Sequence, residues 1–547
     1  MTDNVRTGFD AIVIGAGFGG ICALHKLRNE LGLTVRAFER GGGVGGTWYW
    51  NRYPGAMSDV DGHVYKYAFD KELLQQWDWS SRYVSQAENL AYMQAVVERH
   101  DLARDIQFDT VVESAVYDET DAMWTVTTSR GERFTARYLV SALGPHSSRN
   151  LPEIKELDRF EGTVVHTGSW PEGLSVEGKR VGVIGTGSTG TQFVCAAART
   201  AAHLTVFQRT PQYVLPSGDR PVGTDEKAAI RAGYDRIWEQ IHESRVACGF
   251  EESDIPAMSV SAQERERVFQ ESWDHGNGFH FMFATFGDIT TDPEANQAAA
   301  DFIRSKIREI VQDPETARKL TPTDLFAKRP ICNEGYYESF NRDNVSLVSL
   351  RENPIVAATP TGVLTEDGVE HELDILVCAT GFDAVVGSYK QIDIRGRGGV
   401  TLRERWKDGA RSYLGISVAG FPNMFMVFGP LSSFSNLLPS IETQVEWITE
   451  LVGTVERTGK SSIETTQAAE DEWVEACQLA AGETLFPKVQ SWIFGNSADR
   501  RPKTIFYVKG LASFRAKLRE EAARGLTGYS LQGTESPVPE PAPVTRP

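Results

Sequence analysis

The residues of this chain whose types and spacing could do chemistry gather in two glycine fingerprints. Gly15-Ala16-Gly17-Phe18-Gly19-Gly20 follows the apolar run Ala11 to Ile14, and Glu39 stands 24 residues beyond Gly15. Gly185-Thr186-Gly187-Ser188-Thr189-Gly190 follows Val181-Gly182-Val183-Ile184, and the residue 24 positions beyond Gly185 is Arg209. In a dinucleotide-binding βαβ unit the glycines allow a tight turn, close approach of a pyrophosphate, and packing of the helix on its strand. The residue ending the second strand faces the adenosine ribose. A carboxylate there accepts hydrogen bonds from free ribose hydroxyls and repels a 2′-phosphate, whereas a guanidinium pairs with that phosphate. The first site should therefore hold FAD or NAD, through Gly15, Gly17, Gly20 and Glu39. The second should hold NADPH, through Gly185 to Gly190 and Arg209. Two different dinucleotides in one chain imply hydride transfer between them.

Each fingerprint needs a strand before it and an amphipathic helix after it, and the sequence supplies both. A lone GxGxxG serves packing in many folds. Here Ile21, Leu24 and Leu27 recur with helical period after the first. The run Gly41 to Trp48 is too rich in glycine for helix and suits close backbone approach to a ligand. From 107 to 143 short β-rich runs appear, and the second unit begins near 178. Between 221 and 325 the character becomes charged and helical. β-rich runs resume at Val345 to Val348 and Leu373 to Ala379. The expected fold is α/β, with two Rossmann-like dinucleotide-binding domains and a helical insertion in the NADP domain. Residues 1–150 and 385–530 would form the FAD domain, 151–220 and 326–384 the NADP domain, and 221–325 the insertion. The Pro-rich tail, 531–547, should be disordered.

The 547 residues suffice for two to four domains. A formal net charge of −18 argues against nucleic acid or an anionic membrane as partner. The cysteines at 22, 195, 248, 332, 378 and 477 show no CxxC and no metal-ligand spacing, so disulfides and metal are not expected. No run approaches 18 apolar residues, and Met1 to Phe9 is no signal region. A cytoplasmic, monomeric protein follows as the expectation.

Two longer motifs carry a family resemblance. Phe160-Glu161-Gly162-Thr163-Val164-Val165-His166-Thr167-Gly168-Ser169-Trp170-Pro171 resembles the FxGxxxHTxxWP signature of the Baeyer-Villiger monooxygenases. The stretch Gly45 to Asp59 resembles a second signature of that family. The resemblance covers the chain to about residue 520 and is closest to the cyclohexanone monooxygenase branch. It implies FAD, NADPH, molecular oxygen, and an ester or lactone made from a ketone through a C4a-peroxyflavin, with sulfide oxidation beside it.

The resemblance also implies roles. Arg329 matches the catalytic arginine and Asp59 the aspartate that orients it; a fixed cation near the flavin keeps bound dioxygen anionic. Gly46, Thr47, Trp48, Tyr65 and Val112 join the flavin contacts. Thr186, Ser188, Thr189, Gln192, Thr210 and Lys328 join the NADP contacts. His166 lies in a linker thought to couple cofactor binding to domain movement, and Trp492 lies on a loop that closes over NADP and substrate. Pro145, His146, Cys248, Phe279, Phe434, Ser435 and Leu437 would line the substrate pocket.

Three pocket stretches depart from that branch. Gly144-Pro145-His146-Ser147 stands where Gly-Leu-Leu-Ser is usual, Ala247-Cys248-Gly249 replaces Ala-Phe-Gly, and Leu431 to Pro439 is reshaped. A larger or more polar pocket is expected, suited to bulkier ketones or aryl sulfides; neutral drift is the alternative. Asn496 to Arg501 departs as well, in the closing loop. Among other flavoenzymes, N-hydroxylases and general flavin monooxygenases lack the HTxxW signature, and disulfide reductases need a cysteine pair that is absent here. A non-catalytic NADPH-sensing module is the reading from a different class.

Overall fold

The computed structural model describes residues 7–494 and 503–533, and its two largest sheets each grow outward from a fingerprint strand. Gly8–Ile14 pairs in parallel with Val35–Phe38 on one side and Arg133–Ser141 on the other. Ala11, Ile12 and Val13 are fully buried, which explains the unbroken apolar run: a parallel strand covered on both faces has no solvent side. Val112–Asp118 and Met123–Thr128 extend this sheet antiparallel to Arg133–Ser141. Far along the chain, Asp393–Arg395 pairs with Val112–Asp118 and Met424–Met426 with Arg133–Ser141. With Ile106–Gln107 in parallel beyond Val35–Phe38, these returning strands bring the first sheet to eight.

The second sheet has five strands, all parallel, in the order Val345–Ser349, His203–Gln208, Arg180–Ile184, Ile375–Cys378, Thr163–His166. Its edge strand is the segment that carries the HTxxW motif, with His166 opposite Cys378. In both sheets the fingerprint strand has its chain successor on one side and a later strand on the other. That reversal of order opens a crevice at the strands' carboxyl ends, where dinucleotides bind in such sheets.

Between Thr224 and Leu320 the described elements are helices, interrupted by short loops. Asp292 and Asp313 each accept backbone N–H groups of the helix that follows, and Pro293 and Pro314 open those helices. Phe269, Phe281, Phe286 and Phe302 pack in one core with Val183, Val206 and Val377, so the helical region is built onto the second sheet. The helix Leu437–Thr458 shares the other large core with the first fingerprint helix, Phe18–His25.

One expectation needs correction. Tyr529–Gln532 forms a strand antiparallel to Ser462–Thr465, so order reaches Gln532 where a disordered tail was expected from 531. Pairing with a distant strand holds residues that have no local reason for order. Residues 534–547 lie outside those described. No helix among the described residues is long and apolar enough to cross a membrane.

Candidate active site

Gly15 takes φ +103°, and a Cβ there would come 2.5 Å from the Ala142 carbonyl oxygen. At Gly20 a Cβ would overlap the carbonyl oxygen of Gly15 itself, so the fingerprint helix packs directly on its strand. That helix, Phe18–His25, has no side chain capping its start at Gly17. Its first N–H groups and the positive end of its dipole are left for an anion. Glu39 accepts the N–H of Ala16 and of Gly41, both at 2.8 Å, which fastens the turn and still leaves lone pairs for ribose hydroxyls. Burial raises its pKa, opposed by those two N–H groups. Gly15, Gly17, Glu39, Gly46, Thr47, Trp48, Tyr65 and Val112 all line one crevice, together with Pro145, His146 and Leu437. An uncapped helix start, a carboxylate at the strand end and a glycine floor fit FAD.

The second cradle repeats the geometry. Gly185 takes φ +107° against Ala379, and a Cβ on Gly190 would overlap the Gly185 carbonyl. The helix Ser188–Ala197 is likewise uncapped at Gly187, where an added Cβ would meet no atom within 4 Å. Thr186 Oγ1 donates to the Thr210 carbonyl at 3.1 Å. Arg209 is exposed at the end of its strand. Lys328 lines a small cleft with Pro211, Gln212 and Tyr213, its Nζ 2.9 Å from Asp324. These residues fit an NADP with its 2′-phosphate.

Arg329 and Asp59 meet although 270 residues separate them, Nη2 donating to Oδ2. Asp59 rides on the strand Met57–Asp61, and Arg329 directly precedes Pro330 and the two-residue strand Ile331–Cys332. Burial pulls the guanidinium's pKa down, but the charge and hydrogen bond of Asp59 outweigh it and leave it above the ordinary arginine value. Phe279 presents its ring 5.2 Å from the guanidinium carbon. Cys248 is 3% exposed and its Sγ leans on the Val246 carbonyl at 3.4 Å. Burial first, then the charge of Asp59, pushes its thiol well above the usual range, so it is an inert space-filling group.

A series of rings runs from the closing segment to the HTxxW strand. Trp492 lies 5.9 Å from His146, His146 lies 5.4 Å from Phe382, and Phe382 lies 5.4 Å from His166. His166 Nδ1 accepts the Gly168 N–H at 2.9 Å, so Nε2 carries the proton and donates to the Gly381 carbonyl at 3.1 Å. Burial lowers its pKa to about 4. Cys248, Phe279, Phe434 and Ser435 are not among the residues lining the crevice, and neither are Asp59 and Arg329. Phe434 packs on Phe486 and Phe506, and Ser435 bonds the hydroxyls of Ser433 and Ser440. Asn496 to Arg501 lies outside the described residues.

Compared with known proteins, the chain is 61% identical over 537 residues to the phenazine N-monooxygenase of Lysobacter antibioticus, covering 98% of this chain and 99% of that one. It is 52% identical over 531 residues to a Baeyer-Villiger monooxygenase of Pseudooceanicola batsensis, covering 96% and 97%. This chain belongs to the Baeyer-Villiger monooxygenase family. The model of the flavin-binding monooxygenase-like family matches residues 10–222. The crystal structure of cyclohexanone monooxygenase from Rhodococcus sp. Phi1 bound to NADP+ superposes with a TM-score of 0.95 at 55% identity, covering 96% of this chain and all of that one. The chain is a flavin monooxygenase that uses FAD and NADPH.

Two features of this Baeyer-Villiger monooxygenase escaped sequence reasoning. Arg351, just past the strand Val345–Ser349, places Nη2 3.3 Å from Thr210 Oγ1. Only the parallel pairing of that strand with His203–Gln208 brings it there. Gln192, expected among the NADP contacts, also bridges the two units: Oε1 accepts the Tyr53 hydroxyl at 2.7 Å and Nε2 donates to the Met57 carbonyl at 3.1 Å. The approach is close enough to require glycine, since a Cβ on Gly55 would lie 2.5 Å from the Gln192 carbonyl. No sequence spacing signals a contact between residues 135 or more positions apart; Tyr53-Pro54-Gly55 was the available clue.

Proposed function

We propose that this chain inserts one oxygen atom beside a ketone carbonyl, giving an ester or lactone, with NADPH as two-electron donor. One atom of O2 enters the product and the other leaves as water. Bound FAD, reduced by NADPH, supplies the activated oxygen. The observation that carries the reading is the Arg329–Asp59 pair, with Arg329 next to Lys328 in the small cleft beside the second cradle. Arg329 keeps a permanent positive charge where negative charge develops on oxygen, and Asp59 fixes its position. Glu39 holds the flavin nucleotide's ribose, and Arg209, Thr210 and Lys328 hold the 2′-phosphate. Trp492 covers the crevice and limits water, whose protons would divert the oxygen to hydrogen peroxide. His166, held neutral and bonded at both ring nitrogens, ties the HTxxW turn to Gly381 and so to the end of the second sheet.

A second reading is oxygen transfer to a heteroatom, an aromatic nitrogen or a sulfide. The 61% identity with a protein named for N-oxygenation favours it, so kinship with the Baeyer-Villiger enzymes does not by itself exclude nitrogen as the target. A soft nucleophile attacks electrophilic oxygen and depends less on Arg329. Purified holoenzyme would be assayed for product per NADPH with cyclohexanone, phenazine and an aryl methyl sulfide, beside Arg329→Ala. Ketone turnover that falls about 10²–10³-fold in the variant, with a smaller fall on heteroatoms, is the expected result. Product from none of the three substrates in the wild type, or equal losses on all of them, would defeat the reading.

A further inference from the structure

His146 brings to the crevice an imidazole with no hydrogen-bond partner among the described residues. The loop that bears it is pinned: Val385 N donates to the Pro145 carbonyl at 3.0 Å, Ser147 Oγ to the Leu143 carbonyl at 2.5 Å, and Ser388 Oγ to the Gly144 carbonyl at 3.4 Å. The ring is therefore held in place by backbone contacts that do not involve its nitrogens. Phe382 and Trp492 stand against it at 52° and 69°. It shares the crevice lining with Leu437 and the flavin cradle, and it is near enough to Arg329 and Asp59 to feel both charges. Burial, and next the Arg329 cation, lower its pKa to about 4, with Asp59 opposing. At working pH the ring is neutral and offers one N–H donor and one nitrogen acceptor.

An apolar alicyclic substrate packed on this ring would strip both nitrogens of water and return nothing. A polar partner there restores a bond in a place where its loss is costly. We infer that His146 is a specificity-determining residue. It hydrogen-bonds the second heteroatom of a flat, fused nitrogen heteroaromatic substrate, while the rings of Phe382 and Trp492 contribute apolar and aromatic surface around it. The inference rests on the proposed oxygenase reading and narrows it to a substrate class. Discrimination of this kind exceeds what pocket size alone gives, because an analogue lacking the heteroatom leaves the imidazole unpaired.

The test uses phenazine and acridine, which have the same three fused rings and differ in one ring nitrogen opposite the other. Holoenzyme of wild type, His146→Leu and His146→Gln would be compared for kcat/KM on both compounds and for Kd by equilibrium dialysis, with FAD retention reporting that each variant is folded. The wild type should prefer phenazine about tenfold or more in both measures. His146→Leu should bring the ratio to within about twofold, and His146→Gln, which can still donate and accept, should restore part of it. An unchanged ratio in His146→Leu, or a wild type that treats the two compounds alike, overturns the inference. Should neither heterocycle nor a ketone yield product, the oxygenase reading falls, while the ratio of dissociation constants still decides the role of His146.

Discussion

Asp59 and Arg329 form a half-buried pair whose partners have different duties. Removing the guanidinium deletes the charge itself, whereas removing the carboxylate leaves a cation that burial destabilises and nothing aims. Asp59→Asn should therefore lower kcat by about tenfold, against the larger loss in Arg329→Ala, and rapid-quench product formation separates the two from slow cofactor release. Residue by residue, the proposed 2′-phosphate site also orders itself by competition. Lys328 is partly neutralised by Asp324, while among the described residues Arg351 bonds the Thr210 hydroxyl and Arg209 is exposed. Charge-assisted bonds to phosphate are the strong ones. Arg351→Ala should raise the Kd of NADPH about tenfold and leave that of NADH within about twofold. A parallel loss for both nucleotides would show that Arg351 does not face the phosphate.

At the scale of elements, each fingerprint is a strand and a helix joined with no room for a side chain at the third glycine. Gly20→Ala and Gly190→Ala therefore push apart different sheets' fingerprint helices, because the new methyl would overlap the carbonyl of Gly15 or of Gly185. Gly190→Ala should purify yellow yet reduce its flavin with NADPH more than about tenfold slower, whereas Gly20→Ala should lose flavin on dialysis. A colourless Gly190→Ala would contradict independent cradles. These elements were legible because their period, their glycines and the residue 24 positions on all follow from local geometry. The pairing of Asp59 with Arg329 was legible only through family resemblance. Arg351, the Gln192 bridge and the strand through Gln532 were not legible, since each depends on which distant strand lies alongside. Phe434 and Ser435, assigned to the substrate pocket by motif position, are half-buried and also pack on Phe506 and bond Ser440.

Across the whole molecule, opposed titrations bound the pH range in which the fold is most stable. Burial lowers the pKa of His25, His146, His166, His242 and His280 to about 4 from an ordinary 6.5. Between those values the unfolded chain binds more protons than the folded one, so their contribution is full above 6.5 and is lost as pH falls toward 4. Glu442 acts in the other direction. Its carboxylate sits 4% exposed beneath the loop at 68–69, accepting the N–H groups of Ala68 and Phe69 at 2.9 and 3.0 Å. Burial, opposed by those N–H groups and reinforced by Glu446, raises its pKa from 4.5 to about 8. Here the folded chain binds the extra proton, so the contribution is present below 4.5 and is lost as pH rises to 8. Glutamine mimics the protonated carboxyl and keeps an acceptor for the two N–H groups. Glu442→Gln should leave Tm at pH 5 unchanged within about 1 °C and raise it at pH 8.5 by about 1–3 °C, read by calorimetry of the holoenzyme at matched salt. A variant less stable at pH 8.5 would mean that the ionised carboxylate, and not the neutral one, is what holds the 68–69 loop to the helix Leu437–Thr458.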